Sequence, residues 1–560
     1  MNLIFMSEEI KKAKKLLPLS PYFEDYIKQY QMDWEYHNQP VIAALEVDGV
    51  ASKIAKAYEK VRKVVDWKDE NLLRRATIER ILKRHLISKL YGISIMPDVK
   101  ASEIAEPIAL ELMRSGYFDR GRVGRSHVIE LEKILNKYIK ILSDSRLPKD
   151  NDDLYVKKKI NFYNWIIEIA ACEIEELLFP NFKENALINL MTNILYQKIG
   201  ITPSNQVDDM EKFLQTYIAV HRTLYNFDNS IIAYNLIKIK YPFWVKEDPA
   251  SVKKVIEEAI KIRQDLEEDL ENPLGKKFFQ IAGKYDAAYR LINDITGEIN
   301  NTPSVVRNTY ADEKKLNELI ESVYETRRKT LKKRLFRSSI YSTLSIFVSG
   351  MASFIIFEGP VARLAGEPFK LTTLFFDLLI PSLVMFLLVL AIRPPHPSNY
   401  PVIVQEIKKI VYQQSEEDVY ELELYKKKNK FLNALFILAS TLFGLAGLAL
   451  VFWLFKIAKV PWTSMYIDTI NVAMVFFAAT AIKASSKEIT IKDKGNILES
   501  FLDLFSVPMA KFGQWFSNKW REYNIVAALF TVLVDTPFSA IIRLVEDWQN
   551  FLKEKSAEIH

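Results

Sequence analysis

The chain has 560 residues, 49% of them hydrophobic and 26% charged, with a formal net charge of +6. So small an excess over this length gives no reason to expect a polyanionic partner such as nucleic acid. The single cysteine, Cys172, excludes an intramolecular disulfide and suits a reducing compartment.

The start, MNLIFMSEEIKK, has an apolar stretch too short for the core of a signal peptide, so membrane insertion is expected to rely on an internal span. Residues 1–330 then read as helix almost throughout. Apolar side chains recur at helical spacing over 53–65, 71–90, 102–114, 126–142, 153–178, 186–197, 210–225, 251–270 and 273–299. Turn chemistry separates these runs at Met96-Pro97-Asp98, 119–124, 145–153, 200–204, Tyr241-Pro242 and 300–304. Ser126 and Ser251 read as N-caps. A boundary between two helical subdomains is expected near 147–152.

Three features of this region carry candidate chemistry, each with an ordinary explanation. The run 71–85 sets Arg74, Arg75, Arg80, Lys83 and Arg84 around Glu79, which reads as a salt-bridged helix surface with Arg75–Glu79 and Glu79–Lys83 pairs. The loop Asp119-Arg120-Gly121-Arg122-Val123-Gly124-Arg125-Ser126 leads into a helix. Arg120, Arg122, Arg125 and Ser126 there form a candidate anion site, where helix N–H groups favour a phosphate. The acids Glu168, Glu173, Glu175 and Glu176 lack an ExxH companion and read as a solvated face, with Cys172 as a small core residue.

From Glu313 to Phe357 no proline occurs and the only glycine is Gly350, so one helix is expected to run from the charged region into the first apolar segment. The crowded positive charges of 327–337 are where it would break if it broke. Beyond Arg337 the composition changes. Residues 338–357 carry no charge, and 371–392 follow after a short link. Residues 431–455 and 465–482 repeat the arrangement. A membrane-crossing helix needs about 20 apolar residues, so these read as four spans in two hairpins.

Charge gives the orientation. Arg327, Arg328, Lys329, Lys332, Lys333, Arg334 and Arg337 precede the first span, and Arg393, Lys408, Lys409, Lys426, Lys427, Lys428 and Lys430 lie between the hairpins. The links within the hairpins hold only Arg363 and Lys370, then Lys456 and Lys459. Lys and Arg mark the cytoplasmic side, so both termini are expected in the cytoplasm of a multi-pass plasma- or inner-membrane protein. The clusters are expected to meet anionic lipid headgroups.

The hairpins look like repeats of one another. With Asp377 set on Asp468, residues 371–377 lie on 462–468 and Gly350-Met351-Ala352-Ser353 on Gly444-Leu445-Ala446-Gly447. A duplicated hairpin in one orientation would have an axis along the membrane normal. Small residues line one face of the first span (Ser338, Ser342, Ser345, Ser349, Ser353) and of the third (Ser440, Gly444, Gly447). Packing of these two spans on each other is the ordinary reading, and a serine-lined water path the sharper one.

Asp377 and Asp468 are the candidate ion or proton site, each with a hydroxyl one turn earlier, Thr373 and Ser464. Both fall about 22–24 Å from the basic edge of their spans, which places them in the outer third of a bilayer. Facing each other, two carboxylates would raise one pKa and hold a proton or cation; the ordinary reading has both reaching the outer interface. After Lys483 the tail 497–520 reads as an interfacial helix pair broken at Pro508, and 525–545 as re-entrant, surface-lying or packed on the charged region.

No GxxxxGK[ST] or HExxH motif occurs, and the six histidines lack metal spacing, so no catalytic residue, metal or cofactor is assigned. The chain is thus expected to be all-α: a cytoplasmic helical domain (1–330), a transmembrane hairpin (331–395), a cytoplasmic connector (396–430), a second hairpin (431–485) and interfacial helices (486–560). Its expected role is that of a scaffold or assembly component of a membrane complex, with a protein partner or a second copy of itself. The alternatives are an oligomeric channel or transporter using the paired acids, and a membrane-bound enzyme acting on a phosphate-bearing substrate.

Overall fold

The computed structural model describes residues 16–38, 70–86, 99–115, 123–145, 152–202, 207–355, 359–364, 371–392, 395–412, 420–423, 430–458, 460, 462–486, 488–491 and 507–515. These are helical almost throughout, so the fold is all-α. The expected helix at 53–65 and the segment 525–545 lie outside the described residues.

Eleven described helices build the charged body: α1 (Pro21–Asn38), α2 (Glu70–Leu86), α3 (Ala101–Ser115), α4 (Arg125–Asp144), α5 (Asp152–Leu178), α6 (Phe182–Lys198), α7 (Asp209–Tyr225), α8 (Asn229–Lys240), α9 (Pro249–Glu271), α10 (Gly275–Ile299) and α11 (Pro303–Ala311). Their ends follow the local chemistry, with two corrections. Asp228 and Asp248 cap α8 and α9, each accepting a backbone N–H three residues on. Ser251 is therefore the residue whose N–H is accepted, because Pro249 takes the first helical position. The cap of α4 is Gly124, not Ser126; its N–H donates to His127 Nδ1 at 3.2 Å. Asn226 and Asn300 end α7 and α10 in the left-handed region, at φ 51° and 32°, which asparagine tolerates.

One hydrophobic cluster runs through the body, including residues on both sides of 147–152 such as Leu135, Tyr138, Ile166 and Ile174. It also takes in the segment after the first hairpin. Helix α15 (Tyr400–Tyr412) packs on α10 through Ile403, Ile407, Ile410 and Val411, all buried. Ser20 holds it from the other side, donating its hydroxyl to Ile410 O and its N–H to Val411 O. Tyr420–Glu423 (β2) then pairs in parallel with Ile199–Thr202 (β1), a short ribbon too brief to show as alternation in the sequence. The connector is thus part of the body.

Helix α12 (Glu313–Ser353) is unbroken over 41 residues, capped by Asp312, and spans about 60 Å. The crowded basic residues do not interrupt it: Arg327 and Arg334 are ion-paired, and Lys329, Lys332, Lys333 and Arg337 are exposed. Its far half packs on α14 (Leu371–Ala391), reached through the short α13 (Gly359–Leu364). The second hairpin is α16 (Lys430–Ile457) and α17 (Trp462–Ser486). Helices α14 and α17 pack on each other, giving the order α12–α14–α17–α16.

The small-residue faces do not meet as expected. A Cβ at Gly350 would lie 2.9 Å from Leu378 of α14, and one at Gly444 would lie 2.6 Å from Pro508. The first and third helices are the outer pair of the row, so each glycine serves a different neighbour. The tail helix 507–515 occupies the groove of the second hairpin, with Met509 buried among Val451, Phe455 and Val472. Gly513 lies on the Ala473 backbone. Pro508 falls in the first turn of this helix and packs on Gly444; residues 497–506, on the other side of the expected break, lie outside the described residues.

Among the described residues no helix is long and apolar enough to cross a membrane. The described helices therefore do not support the expected four spans. Helices α14 and α17 run continuously past Asp377 and Pro381 and past Asp468 and Asn471, respectively.

Candidate functional site at the neck

The body and the hairpins meet in a collar, and one asparagine stitches it. The chain leaving α14 passes through a single 3-10 turn, Pro397–Asn399, with Asn399 only 1% exposed. Its side-chain amide donates to Ile489 O at 2.5 Å and its carbonyl accepts from Ile491 N at 3.0 Å. These are the backbone bonds a neighbouring strand would make. The exits of both hairpins are joined there, so α14 and α17 return to the same place.

Glu488 makes the second stitch. One carboxylate oxygen accepts from Arg327 at 2.5 Å and the other from Arg334, two turns further along α12. The second guanidinium nitrogen of Arg327 reaches Asp294 of α10. Burial alone would raise the Glu488 pKa, but hydrogen bonds and positive charge from Arg327 and Arg334 outweigh it and hold it below the usual carboxylate range. The exit of the second hairpin is thereby tied to the helix that enters the first.

A cleft of about 370 Å³ opens in this collar, lined by Asp294, Glu298, Thr330 and the Arg327–Glu488–Arg334 cluster. It continues a ladder along one face of α10, where Asp286, Arg290, Asp294 and Glu298 follow at four-residue intervals. Asp286, deep in the body, is pushed up to about 6 by burial; Arg290, donating at 3.0 Å, opposes the shift and Glu488 adds to it. Glu298, exposed near the end of α10, has no ion partner among the described residues.

The residues singled out from the sequence fall elsewhere. Asp468 is 2% exposed, inside the hairpin bundle and away from the outer surface. The α17 residues Met465, Val472, Val475 and Ala479 are buried with it at heptad spacing. Asp377 lies on α14, 22 residues before Asn399, and Asp468 lies 21 before Ile489, so the stitch leaves the two positions at matching heights. The side chains of Asp377, Thr373 and Ser464 lie outside the described residues. Ser382 of α14 is a second buried polar group there, 7% exposed, with no hydrogen-bond partner for its hydroxyl among the described residues. Arg125 and Ser126 are exposed at the start of α4, and Arg120 and Arg122 lie outside the described residues.

Two surface readings from the sequence are corrected. Glu173 and Glu175 are buried, not solvated. Glu173 accepts from Lys137 at 2.5 Å and Tyr138 at 2.6 Å, while Glu175 accepts from Arg74 at 2.7 Å. Arg75 turns inward onto Asp228 instead of pairing with Glu79, while the expected Lys83–Glu79 pair forms. Each acid faces a cation on another helix, a relation that spacing along one helix cannot reveal. Cys172 is buried among them, its thiol pushed up by burial. Among the described residues no group of His, Cys, Asp and Glu is placed to hold a metal ion.

No family model matches this chain, and neither a curated protein nor a solved structure matches it.

Proposed function

We propose that the hairpins are embedded in a bilayer, with the body and the collar on the cytoplasmic face, and that the protein is a structural or interaction component of a membrane assembly. The observation that carries this reading is a belt of exposed large apolar side chains. It begins on α12 at Phe336 (68% exposed) and Tyr341 and runs to Ile355; it continues through Phe375–Leu390 on α14 and Leu435–Ile457 on α16. A contiguous apolar surface of this extent is unstable in water. It starts within one turn of Arg334 and Arg337, where basic residues meet headgroups. The body below it exposes large apolar side chains only singly, such as Met32, Ile129 and Phe279.

The collar supports the assembly role. A rigid helix of about 60 Å, fixed to the body at one end and to both hairpin exits midway, transmits position with no chemistry required. Three results test the reading: resistance to alkaline extraction from membranes, external labelling of cysteines placed in the links 358–370 and 456–464, and protection of one placed at Gly116. Reversed labelling rejects it. Stoichiometric partners in mild detergent support the assembly role.

Burial of Asp468 favours a second reading, a proton or cation path between α14 and α17 in an oligomer. Ion flux from reconstituted homo-oligomers, in the absence of other subunits, would select it over the first.

A further inference from the structure

The basic residues around the neck suggest affinity for anionic lipid, but the cleft itself has the opposite balance. Its lining carries three carboxylates, Asp294, Glu298 and Glu488, against two guanidiniums, Arg327 and Arg334. Arg327 is spent on Asp294 and Glu488, and Glu488 uses both oxygens on the two arginines. What remains in the lining is the carboxylate of Glu298 and Arg334, whose side chain is 50% exposed although it holds Glu488. Thr330, one turn before Arg334 on α12, also lines the cleft. The cleft thus offers a negative group and a positive group in one open space of about 370 Å³, large enough for a small polar headgroup.

We infer that the neck cleft binds a phosphoethanolamine group, its ammonium on Glu298 and its phosphate on Arg334. A simple anion finds Glu298 unneutralised, and a quaternary ammonium has no N–H to give it. The direction fits the membrane reading, on which this inference rests for its natural source. Arg334 is two residues from Phe336, where the apolar belt begins, and Glu298 lies on the body side, so a lipid phosphate would sit above its amine. The same chemistry exists in soluble phosphoethanolamine, which does not need the bilayer.

The test uses the full-length protein in mild detergent. Native mass spectrometry after addition of phosphatidylethanolamine, phosphatidylcholine or phosphatidylglycerol should show retention of the first in preference to the other two. Glu298→Gln should reduce that retention about tenfold, the effect of one charge-assisted bond. Glu298 is exposed and unpaired, so its replacement leaves the fold intact. Lys329→Gln, an exposed change outside the cleft, should leave the preference unchanged. Equal or better retention of phosphatidylglycerol, or an unaltered preference in Glu298→Gln, overturns the inference. Thermal stabilisation by soluble phosphoethanolamine, lost in Glu298→Gln, with no preference among lipids, assigns the site to a soluble ligand. If the protein also fails to float with any vesicle, the membrane reading falls while the cleft assignment stands. Absence of both lipid preference and soluble binding rejects the cleft assignment outright.

Discussion

Gly513 rests directly on the backbone of Ala473: a Cβ at 513 would overlap the Ala473 carbonyl group. Glycine is required there by close approach, since the obstacle is main chain and cannot rotate away. Gly513→Leu should therefore unseat the tail helix from the second hairpin, at a cost of about 1–3 kcal/mol. Hydrogen exchange of 507–515 should quicken at least severalfold. Gly283→Ala is the control. Nothing lies within 4 Å of the added methyl, and the change should stabilise α10 by about 0.5–1 kcal/mol. Unchanged exchange in Gly513→Leu would mean that this contact does not hold the tail.

The Lys137–Glu173 pair has side chains 1% and 9% exposed, and it is shared with Tyr138. Glu173→Gln leaves a buried ammonium without its counter-charge and should destabilise the body by about 3–5 kcal/mol. Lys137→Met combined with Glu173→Leu removes both charges, while the Tyr138 hydroxyl still accepts from Trp244 Nε1, and should recover much of that loss. Denaturant midpoints of the two variants decide it, and equal losses would contradict the account.

These elements differ in how far the sequence announces them. Helix ends at 178, 225 and 299 are legible because apolar spacing and the turn residues after it are local. The uninterrupted α12 is legible too, from the absence of proline between Glu313 and Phe357. The collar is not. Glu488 and Asn399 look like ordinary loop residues, and their roles depend on partners at Arg327 and Ile489, 161 and 90 positions away. The buried Glu173 and Glu175 were hidden for the same reason. Asp377 and Asp468 stood out only because a carboxylate among apolar residues needs an explanation; that α14 and α17 are neighbours follows from the order of the helices, which no single segment encodes.

Asp286 gives a pH signature. Burial raises it from 3.8 to about 6, with Arg290 opposing and Glu488 reinforcing. The folded state therefore holds this proton more tightly than the unfolded chain. Its contribution is fully present below pH 3.8, declines as pH rises through about 6, and is lost above that. Relative to Asp286→Asn, the protein should lose about 2 kcal/mol between pH 4 and pH 7. Denaturant unfolding of both proteins across that range measures it. A difference independent of pH would show that Asp286 titrates normally.

Asp377 and Asp468 occupy positions on adjacent helices at matching heights above the collar. If the two acids act as one ion or proton site, Asp377→Asn and Asp468→Asn should each abolish flux in reconstituted vesicles. The double variant should be no worse than either, since members of one unit are not additive. The buried Asp468 sharpens the comparison. Asparagine keeps its shape and hydrogen-bonding capacity, so a purely structural carboxylate should tolerate the change with little loss of yield or thermal stability. Asp468→Leu separates the two cases further. It should be inactive yet stable if the acid serves transport, because an apolar residue suits the seam formed by Met465, Val472, Val475 and Ala479. Normal insertion, accumulation and growth with all four variants would remove the ion reading and leave the assembly role alone.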